Sequence, residues 1–435
     1  MTLIDLGELR DPPEPERSRP VRRPLRPAGR PLRSAVVLAL VLATAAGATP
    51  PPARVAAVVP GSAAADAFVA GGRLYVAQPA EGVTDGTRDL VAYPLPERAT
   101  ATPQRPAPLW RVPLPGAGQL WGLEVRDGLL LLSAAGLNGF RGGDTMVFDA
   151  DTGRLRWRQP GLARLDAAGR LLLETGGLDS PGRVRSVDLA SGRALWSLPV
   201  PPEGVSYQGR DGLIEQLVLV PADGAVEVYD AGTGARLRRE ELPALPASTD
   251  RQVVGDLLVA IDRQTGRVAG YELDGLRRRW EVDLPLTAYL HPCGDLLCAA
   301  GRTGGIRALD PATGQERWAD AGWTGLLPER DGRMLGFTTT SSGTDRVVVV
   351  DVATGRQLAD LGAWQLVPSR TAEQRVVGTR PAPGGGLLVA ELDAATGRAR
   401  GHDVLRDVAG DCQVDGDLIL CRRLRDGFLV RRLPG

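Results

Sequence analysis

The chain has 435 residues, enough for one large domain or two ordinary ones, and its 52 basic and 52 acidic residues leave no net charge. A neutral chain offers no bulk electrostatic attraction to nucleic acid. All the basic residues are arginine, which excludes a Walker A phosphate loop, a Schiff-base lysine and a Ser-Lys dyad. With only His291 and His402 present, a histidine-rich metal site or a histidine-based triad has little to draw on.

The amino-terminal segment combines a polar tail with one apolar stretch. Residues 1–33 are rich in proline and charge and lack apolar periodicity, so we expect a disordered tail that ends in a run of arginines. Residues 34–53 carry no charge and form a candidate transmembrane anchor, although their strongly apolar part is short for a spanning helix. The preceding arginines predict a cytoplasmic tail and an exported remainder at the cell membrane, with a linker over 54–65.

Two other interpretations of residues 34–53 remain. Small residues in the stretch ATAAGA suit a signal-peptide cleavage site, which would make the protein secreted. A buried core helix is the third, and the flanking arginines and prolines fit it poorly. The first two interpretations share the prediction that the rest of the chain is exported.

A repeat runs through the remaining sequence. The phrase Asp-x-x-(Thr/Ser/Gly)-Gly begins at Asp149, Asp188, Asp230, Asp310, Asp351 and Asp393, and a shortened form places Asp274 in the same role. Successive aspartates are 36 to 44 residues apart. A period near 40 with turn residues at fixed places is typical of a four-stranded propeller blade.

Each repeat also contains a turn followed by an apolar run, as at 127–133 and 254–260, and ends in a strand rich in arginine. Alternating charge on an outermost strand protects it from pairing with another edge. A degenerate unit over 71–115 brings the count to eight, and the tail 414–433 supplies two strands that we expect to pair near the amino terminus. The prediction is an all-β propeller over 66–435 of about eight blades, with seven or nine left open.

The stretch ALDPATGQERW at 308–318 resembles the repeat of the quinoprotein-dehydrogenase-like propellers, known as PQQ-like repeats. The resemblance covers roughly residues 66–435. That family includes quinone-dependent alcohol dehydrogenases and cofactor-free scaffolds of the BamB type. The motif is therefore a specific signal for the fold and a weak one for function.

The repeat residues are expected to have structural roles. The aspartate can accept hydrogen bonds from turn amides, and the glycine supplies the positive φ of a tight turn. The resemblance implies that the tryptophan packs on a neighbouring blade. The phrase is most complete in three units, at Asp149, Gly153 and Trp157, at Asp188, Gly192 and Trp196, and at Asp310, Gly314 and Trp318.

Some junctions between blades depart from this pattern. Arg238, Ala359 and Gly401 stand where the tryptophan is expected, and Trp280 follows Asp274 by only six residues. These junctions are predicted to be looser, and we expect a partner to bind at the loops near Arg238, Ala359 and Gly401.

Two enzymatic alternatives come from these motifs. The triplet at 151–153 matches the Asp-Thr-Gly of aspartic proteases, but Arg154 follows it and no second matching site is present. Quinone-dependent dehydrogenases resemble the chain in fold, yet they carry adjacent cysteines and a calcium site, and the sequence has neither a Cys-Cys pair nor a defensible ligand cluster. No catalytic, cofactor-binding or metal-binding residue is predicted.

The four cysteines occur as two pairs, each spanning a Gly-Asp turn. Cys412 and Cys421 are equidistant from their turn, which predicts a direct cross-strand pair, whereas Cys293 and Cys298 require a slightly wider loop. In an exported protein we expect disulfides Cys293–Cys298 and Cys412–Cys421. A four-cysteine metal site and buried free thiols are the alternatives.

Three smaller features are assigned to loops. His291 and His402 are predicted to be surface loop residues, and the glycines at 384–386 are predicted to form a turn. The sequence as a whole predicts a non-catalytic extracytoplasmic propeller without a cofactor. Its expected role is a scaffold for an envelope or membrane protein, or for a small ligand at the central funnel. A ligand-sensing ectodomain is a further possibility.

Overall fold

The computed structural model describes residues 54–433 except for gaps at 81–86, 115–119, 137–138, 178–179, 203, 211–212, 222–223, 243–248, 328, 341–342 and 370–374. The predicted tail at 1–33 and the predicted anchor at 34–53 lie outside the described residues. Within the described residues, every regular element is a strand, and no helix is long and apolar enough to cross a membrane. The all-β prediction is confirmed.

The strands form consecutive antiparallel units of four, each in simple up-and-down order. Units 1 to 3 consist of β2 (Asp66–Ala70), β3 (Arg73–Pro79), β4 (Arg88–Pro94) and β5 (Trp110–Leu114); β6 (Leu120–Arg126), β7 (Leu129–Gly136), β8 (Gly139–Asp149) and β9 (Leu155–Pro160); and β10 (Leu162–Leu165), β11 (Leu171–Gly177), β12 (Ser180–Val187) and β13 (Ala194–Val200). Units 4 to 6 consist of β14 (Val205–Arg210), β15 (Leu213–Leu219), β16 (Ala225–Asp230) and β17 (Arg236–Glu241); β18 (Thr249–Val254), β19 (Leu257–Asp262), β20 (Arg267–Glu272) and β21 (Arg278–Asp283); and β22 (Thr287–Cys293), β23 (Leu296–Gly301), β24 (Ile306–Leu309) and β25 (Glu316–Asp320).

The next two units share a strand. Unit 7 consists of β26 (Gly325–Leu326), β27 (Arg333–Thr339), β28 (Asp345–Asp351) and the first part of β29 (Gln357–Val367). Unit 8 begins with the last residues of β29 and continues with β30 (Val377–Pro381), β31 (Leu387–Asp393) and β32 (Arg398–Leu405). One long strand therefore replaces the loop that separates other neighbouring units.

The last unit joins the two ends of the described chain. It consists of β33 (Val408–Asp415), β34 (Leu418–Arg423), β35 (Phe428–Arg432) and, as its outermost strand, β1 (Ala56–Val59). The expected pairing of the carboxyl-terminal strands with the amino-terminal region is confirmed, since Ala57 lies opposite Val430 in the β1–β35 register. The sequence predicts that residues 54–65 are a linker. The structure corrects this, because four apolar residues within this range form β1 and complete a blade.

The described strands make seven separate four-stranded sheets and one seven-stranded sheet that contains units 7 and 8. Counting these two separately gives nine units, close to the predicted eight. The count based on outer strands omits unit 9 because its outer strand comes from the other end of the chain. Nine apolar clusters, each formed by two successive units, lie in the described part of the chain, and the ninth joins unit 9 to unit 1. The ring is closed.

Burial along the strands explains why the units stack. The two middle strands of unit 5, β19 and β20, are buried along nearly their whole length because a neighbouring unit covers each face. The outer strand β17, with the sequence RLRREE, has no fully buried residue. Each large apolar side chain buried between units contributes roughly 1.5–3 kcal/mol. The charged outer edges limit pairing with other chains.

Candidate functional site

The repeated aspartate closes a turn in each unit that carries it. In unit 2, the Asp149 carboxylate accepts hydrogen bonds from the backbone nitrogen and the hydroxyl of Thr152, at 3.1 and 2.8 Å. Arg156 donates to its second oxygen at 2.7 Å. The Arg156 hydrogen bond, together with those of Thr152, lowers the pKa of Asp149 to about 2. A carboxylate held in this way stabilises the turn and is poorly suited to act as a general base.

The same arrangement recurs around the ring. Hydrogen bonds from the turn or from a nearby arginine also lower the pKa of Asp188, Asp230, Asp310, Asp351 and Asp393. A hydrogen-bonded turn of the same kind therefore repeats along the face where these turns lie, and no single aspartate among them is distinguished as a catalyst.

The tryptophans connect one unit to the turn of the next. Trp157 of unit 2 donates from its indole nitrogen to the Leu189 carbonyl of unit 3 at 2.8 Å. Gly192, in the same turn, lies against the indole so closely that an added Cβ would be 2.9 Å from the ring carbons. Its φ of +70° also favours glycine. We call this combination of indole, carbonyl and small turn residue a tryptophan lock.

Five junctions in the described part of the chain have an indole that donates to a carbonyl of the next unit at 2.8 to 3.1 Å. The donor–acceptor pairs are Trp110 with Ala150, Trp157 with Leu189, Trp196 with Gly232, Trp280 with Pro311, and Trp318 with Val352. The sequence pattern singles out Trp157, Trp196 and Trp318, and it misses the role of Trp110 because a long insertion precedes it.

The prediction of a looser junction at Trp280 is wrong. The backbone nitrogen of Glu272 bonds to the Arg277 carbonyl, as the nitrogen of Asp310 bonds to the Gln315 carbonyl, so Glu272 is the equivalent of the repeat aspartate. Trp280 follows Glu272 by the usual eight residues. Asp274, which the sequence suggests as the equivalent, lies within the turn itself.

The junction between units 4 and 5 departs from the pattern in both of its units. Arg238 replaces the tryptophan, and its guanidinium donates to the Asp274 carboxylate of unit 5 at 2.6 Å. Leu276 occupies the turn position that is glycine at each tryptophan lock, with a φ of +45°, and its side chain is buried. With no indole to accommodate, the turn can carry a large residue there, and Leu276 packs into the apolar cluster between the two units.

A cavity of about 670 Å³ opens at this junction. Charged side chains of both units line it, chiefly Glu215, Arg238, Asp256, Glu272, Asp274 and Arg279. Arg279 donates to Asp256 at 2.7 Å, and Arg277, also in the lining, donates to Glu272 at 2.7 Å. The hydrogen bond from Arg277, followed by a longer one of 3.4 Å from Arg279 to the same carboxylate, lowers the pKa of Glu272. We call this cavity the junction pocket.

Two smaller cavities lie elsewhere. One of about 150 Å³ lies between units 7 and 8, where Ala359 replaces the tryptophan, and is lined by Arg330, Glu391 and Asp393 among others. Another of about 230 Å³ lies in unit 6 beside Leu286 and Gly304. The larger volume and denser charge of the junction pocket make it the stronger candidate site.

Comparison with known families agrees with this architecture. The family described as "Outer membrane protein assembly factor BamB", a PQQ-like repeat family, matches residues 100–264. That match spans units with complete repeat phrases. Over residues 100–264 the chain is similar to the PQQ-like repeat family, and its fold is a β-propeller.

Solved structures resemble this chain only distantly. BamB from Moraxella catarrhalis is 15% identical with a TM-score of 0.43, covering 84% of this chain and 93% of that one. The designed protein Ika8 is 19% identical with a TM-score of 0.46, covering 73% and 98%. A europium-containing methanol dehydrogenase is 12% identical with a TM-score of 0.39, covering 75% and 81%. No curated protein matches the sequence.

Both disulfides are present in the propeller. Cys412 and Cys421 face each other with their Cα atoms 4.1 Å apart, as expected for a direct cross-strand pair. Cys293 and Cys298 are also bonded, with Cα atoms 5.8 Å apart. The wider loop predicted for this second pair is wrong, because Cys293 lies opposite Leu296 across a two-residue turn and the disulfide runs diagonally.

Neither histidine of the propeller is a surface loop residue, contrary to the prediction. His402 is buried in β32, and its Nε2 lies 3.2 Å from the Glu391 carboxylate. His291 is half-buried in β22, and both of its ring nitrogens are buried without a hydrogen-bond partner. Burial lowers the pKa of His291. The glycines at 384–386, by contrast, lie in a turn as predicted.

His291 occupies a position on the innermost strand that is glutamine in other units, which the sequence does not reveal. Gln252, at the same distance from its hairpin turn as His291, both donates to the Leu290 carbonyl of the next unit and accepts from the Leu290 nitrogen. Gln413 holds the equivalent place in unit 9 and donates to Ala67 of unit 1. His291 makes no corresponding hydrogen bond.

The junction pocket gives the described residues a means of binding a polar or charged ligand. No group of three or more potential metal ligands lies close together among them. The repeat carboxylates are engaged by their turns and the tryptophans by the neighbouring units. The junction pocket, in contrast, presents charged groups that are only partly engaged.

Proposed function

We propose that this protein is a non-catalytic interaction scaffold of the cell envelope. The observation that carries the proposal is the junction pocket, a charged cavity of about 670 Å³ on a ring whose repeat carboxylates are engaged in turns. A rigid propeller with loop-built faces suits the binding of another protein. The matching family is described as an outer-membrane assembly factor, which agrees with a role in binding proteins.

The proposed location is extracytoplasmic, with residues 34–53 as a membrane anchor. Two disulfides support an oxidising compartment, because such bonds are rare in reducing cytoplasm. The run of arginines before residue 34 supports a cytoplasmic amino terminus. Protease added to intact cells or spheroplasts should then digest the propeller and spare the tail.

A polypeptide is the partner that the site fits best. The residues that line the junction pocket are mostly charged or polar, so an apolar small molecule would leave ionised groups desolvated, at a cost of several kcal/mol. A folded partner can instead supply complementary polar groups over a larger area. We therefore propose an envelope or membrane protein as the partner.

Crosslinking in intact cells followed by purification of the full chain tests the proposal. The expected result is one or a few specific protein partners that survive stringent washing and persist when the cytoplasmic tail is deleted. Loss of the partner's response on tail deletion would instead indicate a sensor. Titration with pyrroloquinoline quinone gives the enzymatic outcome: a saturable spectral shift would contradict a non-catalytic scaffold.

A further inference from the structure

The junction pocket lies at a junction that has no tryptophan lock. At five junctions, an indole donates to the turn of the next unit, and the glycine of that turn leaves room for it. Between units 4 and 5, both partners change together, to Arg238 and to Leu276. Local departures from a repeat that is otherwise self-consistent are expected at functional sites.

The charges of the junction pocket are interleaved. Three guanidinium groups, those of Arg238, Arg277 and Arg279, stand among the carboxylates of Glu215, Asp256, Glu272 and Asp274. The side chains of Arg238 and Arg279 are less than a third exposed, whereas Asp256 and Asp274 are 70% and 91% exposed. Arg238 and Arg279 therefore lie at the base of the pocket, whereas Arg277, 80% exposed, and these two aspartates lie at its rim.

The ion pairs within the pocket use only part of the hydrogen-bonding capacity of its charged groups. The Asp256 carboxylate accepts a hydrogen bond from Arg279 and the Asp274 carboxylate accepts one from Arg238, whereas a carboxylate can accept about four. Arg238 donates through one Nη atom, and its buried Nε has no hydrogen-bond partner. The Arg238 guanidinium is therefore incompletely hydrogen-bonded within the chain.

This arrangement decides between classes of ligand. A polyanion such as nucleic acid would meet four carboxylates, and a polycation would meet three guanidinium groups. A ligand with groups of both signs can engage the arginines and the aspartates together without breaking the resident pairs.

We propose that the junction pocket binds a polypeptide segment of the partner that carries both acidic and basic side chains. This inference rests on the proposed function and specifies its recognition chemistry. A carboxylate of the segment accepts hydrogen bonds from the guanidinium groups of Arg238 and Arg279. A basic side chain of the same segment donates to Asp256 and Asp274. Arg238 and Arg279 suit the binding of the segment's carboxylate, because a planar guanidinium group can hold a carboxylate with two parallel hydrogen bonds.

The test uses the full-length chain and three synthetic peptides of equal length. One peptide alternates arginine and glutamate with glycine between them, the second contains only arginine and glycine, and the third only glutamate and glycine. Binding is measured by calorimetry at low and at physiological salt, because exposed ion pairs are screened by salt. The mixed peptide should bind saturably and more tightly than either of the others, and salt should weaken it.

Variants assign the binding to the pocket. Because a hydrogen bond to a charged group contributes about 1.5–3 kcal/mol, Arg238→Ala and Asp256→Asn should each weaken the mixed peptide about 10- to 100-fold. Matched controls lie on β21 outside the pocket, where Arg278 pairs with Glu281 and Asp283 pairs with Arg267. Arg278→Ala and Asp283→Asn make the same charge changes and should leave binding unchanged.

A double variant separates binding from folding. Arg238→Trp combined with Leu276→Gly restores the tryptophan lock, so the chain should fold stably and lose the mixed peptide. The proposal is overturned if no peptide binds, if a single-sign peptide or free glutamate binds as well as the mixed one, or if the double variant still binds. If the Arg238→Ala variant still crosslinks to the same partners in cells, the scaffold function stands. Only the assignment of the junction pocket as the binding site then fails.

Discussion

At the scale of single residues, the repeat aspartates show how a chemically capable group is committed to structure. Asp149 accepts two hydrogen bonds from its own turn and one from Arg156. Its low pKa follows from these bonds, and the other repeat aspartates are shifted in the same direction for similar reasons. A carboxylate of this kind contributes to stability only while it is ionised.

Acidification should therefore destabilise the ring at low pH. In the unfolded chain an aspartate titrates near pH 3.9, whereas folded Asp149 titrates near 2. The unfolded state thus binds more protons in this window, and stability is lost as pH falls from about 4 to 2. We expect the Tm to fall over this range and to fall less in a variant with Asp149, Asp310 and Asp351 changed to asparagine. A Tm independent of pH between 5 and 2 would contradict this.

His291 gives a second prediction at this scale. Because burial lowers its pKa, the folded chain resists protonation that the unfolded chain accepts, so stability should decline as pH falls below about 6.5. His291→Gln places at this position the residue found at the equivalent places of units 5 and 9. The variant should be at least as stable as the parent at pH 7 and lose the decline between pH 6.5 and 5. An unchanged pH profile, measured by urea unfolding, would show that His291 is not responsible.

At the scale of the strand and turn, the tryptophan lock is the main connection between units beyond apolar burial. Much of it can be predicted from the sequence, since a tryptophan eight residues after the repeat aspartate marks three of the five locks. Trp280 is missed because Glu272 replaces aspartate, and Asp274 two residues later misleads the alignment. The backbone hydrogen bonds of the turn show that Glu272 is equivalent to the repeat aspartates. A sequence motif does not contain this information.

Removing the tryptophan of a lock should lower the free energy of unfolding far more than removing Arg238, which replaces the tryptophan at the junction pocket. Trp318 is buried, so Trp318→Ala should destabilise the chain by about 3–5 kcal/mol. Arg238 pairs with a highly exposed aspartate, so Arg238→Ala should cost about 0–1 kcal/mol. Chemical denaturation of both variants measures the difference, and equal costs would contradict the distinction between the two kinds of junction.

The disulfides belong to the hairpin scale. Each closes a short loop, with its two cysteines five and nine residues apart, so the entropic contribution of each should be about 2–3 kcal/mol. Replacing both Cys412 and Cys421 by serine should lower the free energy of unfolding by that amount. Thiol labelling of denatured, unreduced protein should find no reactive cysteine; four labelled thiols would contradict both bonds.

At the scale of the whole molecule, the ring depends on a strand from each end of the described chain. Val59 of β1 is fully buried and packs in the cluster that contains Phe428 and Leu74, which joins the last unit to the first. The sequence predicts the ring and most of its units, because the repeat is periodic. It predicts that the carboxyl-terminal strands pair near the amino terminus, but it does not identify residues 56–59 as the strand, since four apolar residues after a proline-rich stretch carry no repeat signal.

Deleting residues 56–59 from the full chain should open the ring. The edge of β35 and the apolar cluster beneath it would then be exposed, and we expect a marked loss of Tm together with dye binding to the exposed apolar surface. Deleting four residues from the tail, such as 12–15, provides a control of equal length. Equal Tm values for the two deletions would contradict closure by β1.

The central claim is that the propeller recognises a protein through its junction between units 4 and 5. The most direct test places a photoactivated crosslinking amino acid at position 274, on the rim of the junction pocket, in intact cells. The control is position 312, the same exposed turn position in unit 6, where Trp280 completes a lock. We predict a specific protein adduct from position 274 and none from position 312. The same adducts from both positions, or none from position 274, would contradict the claim.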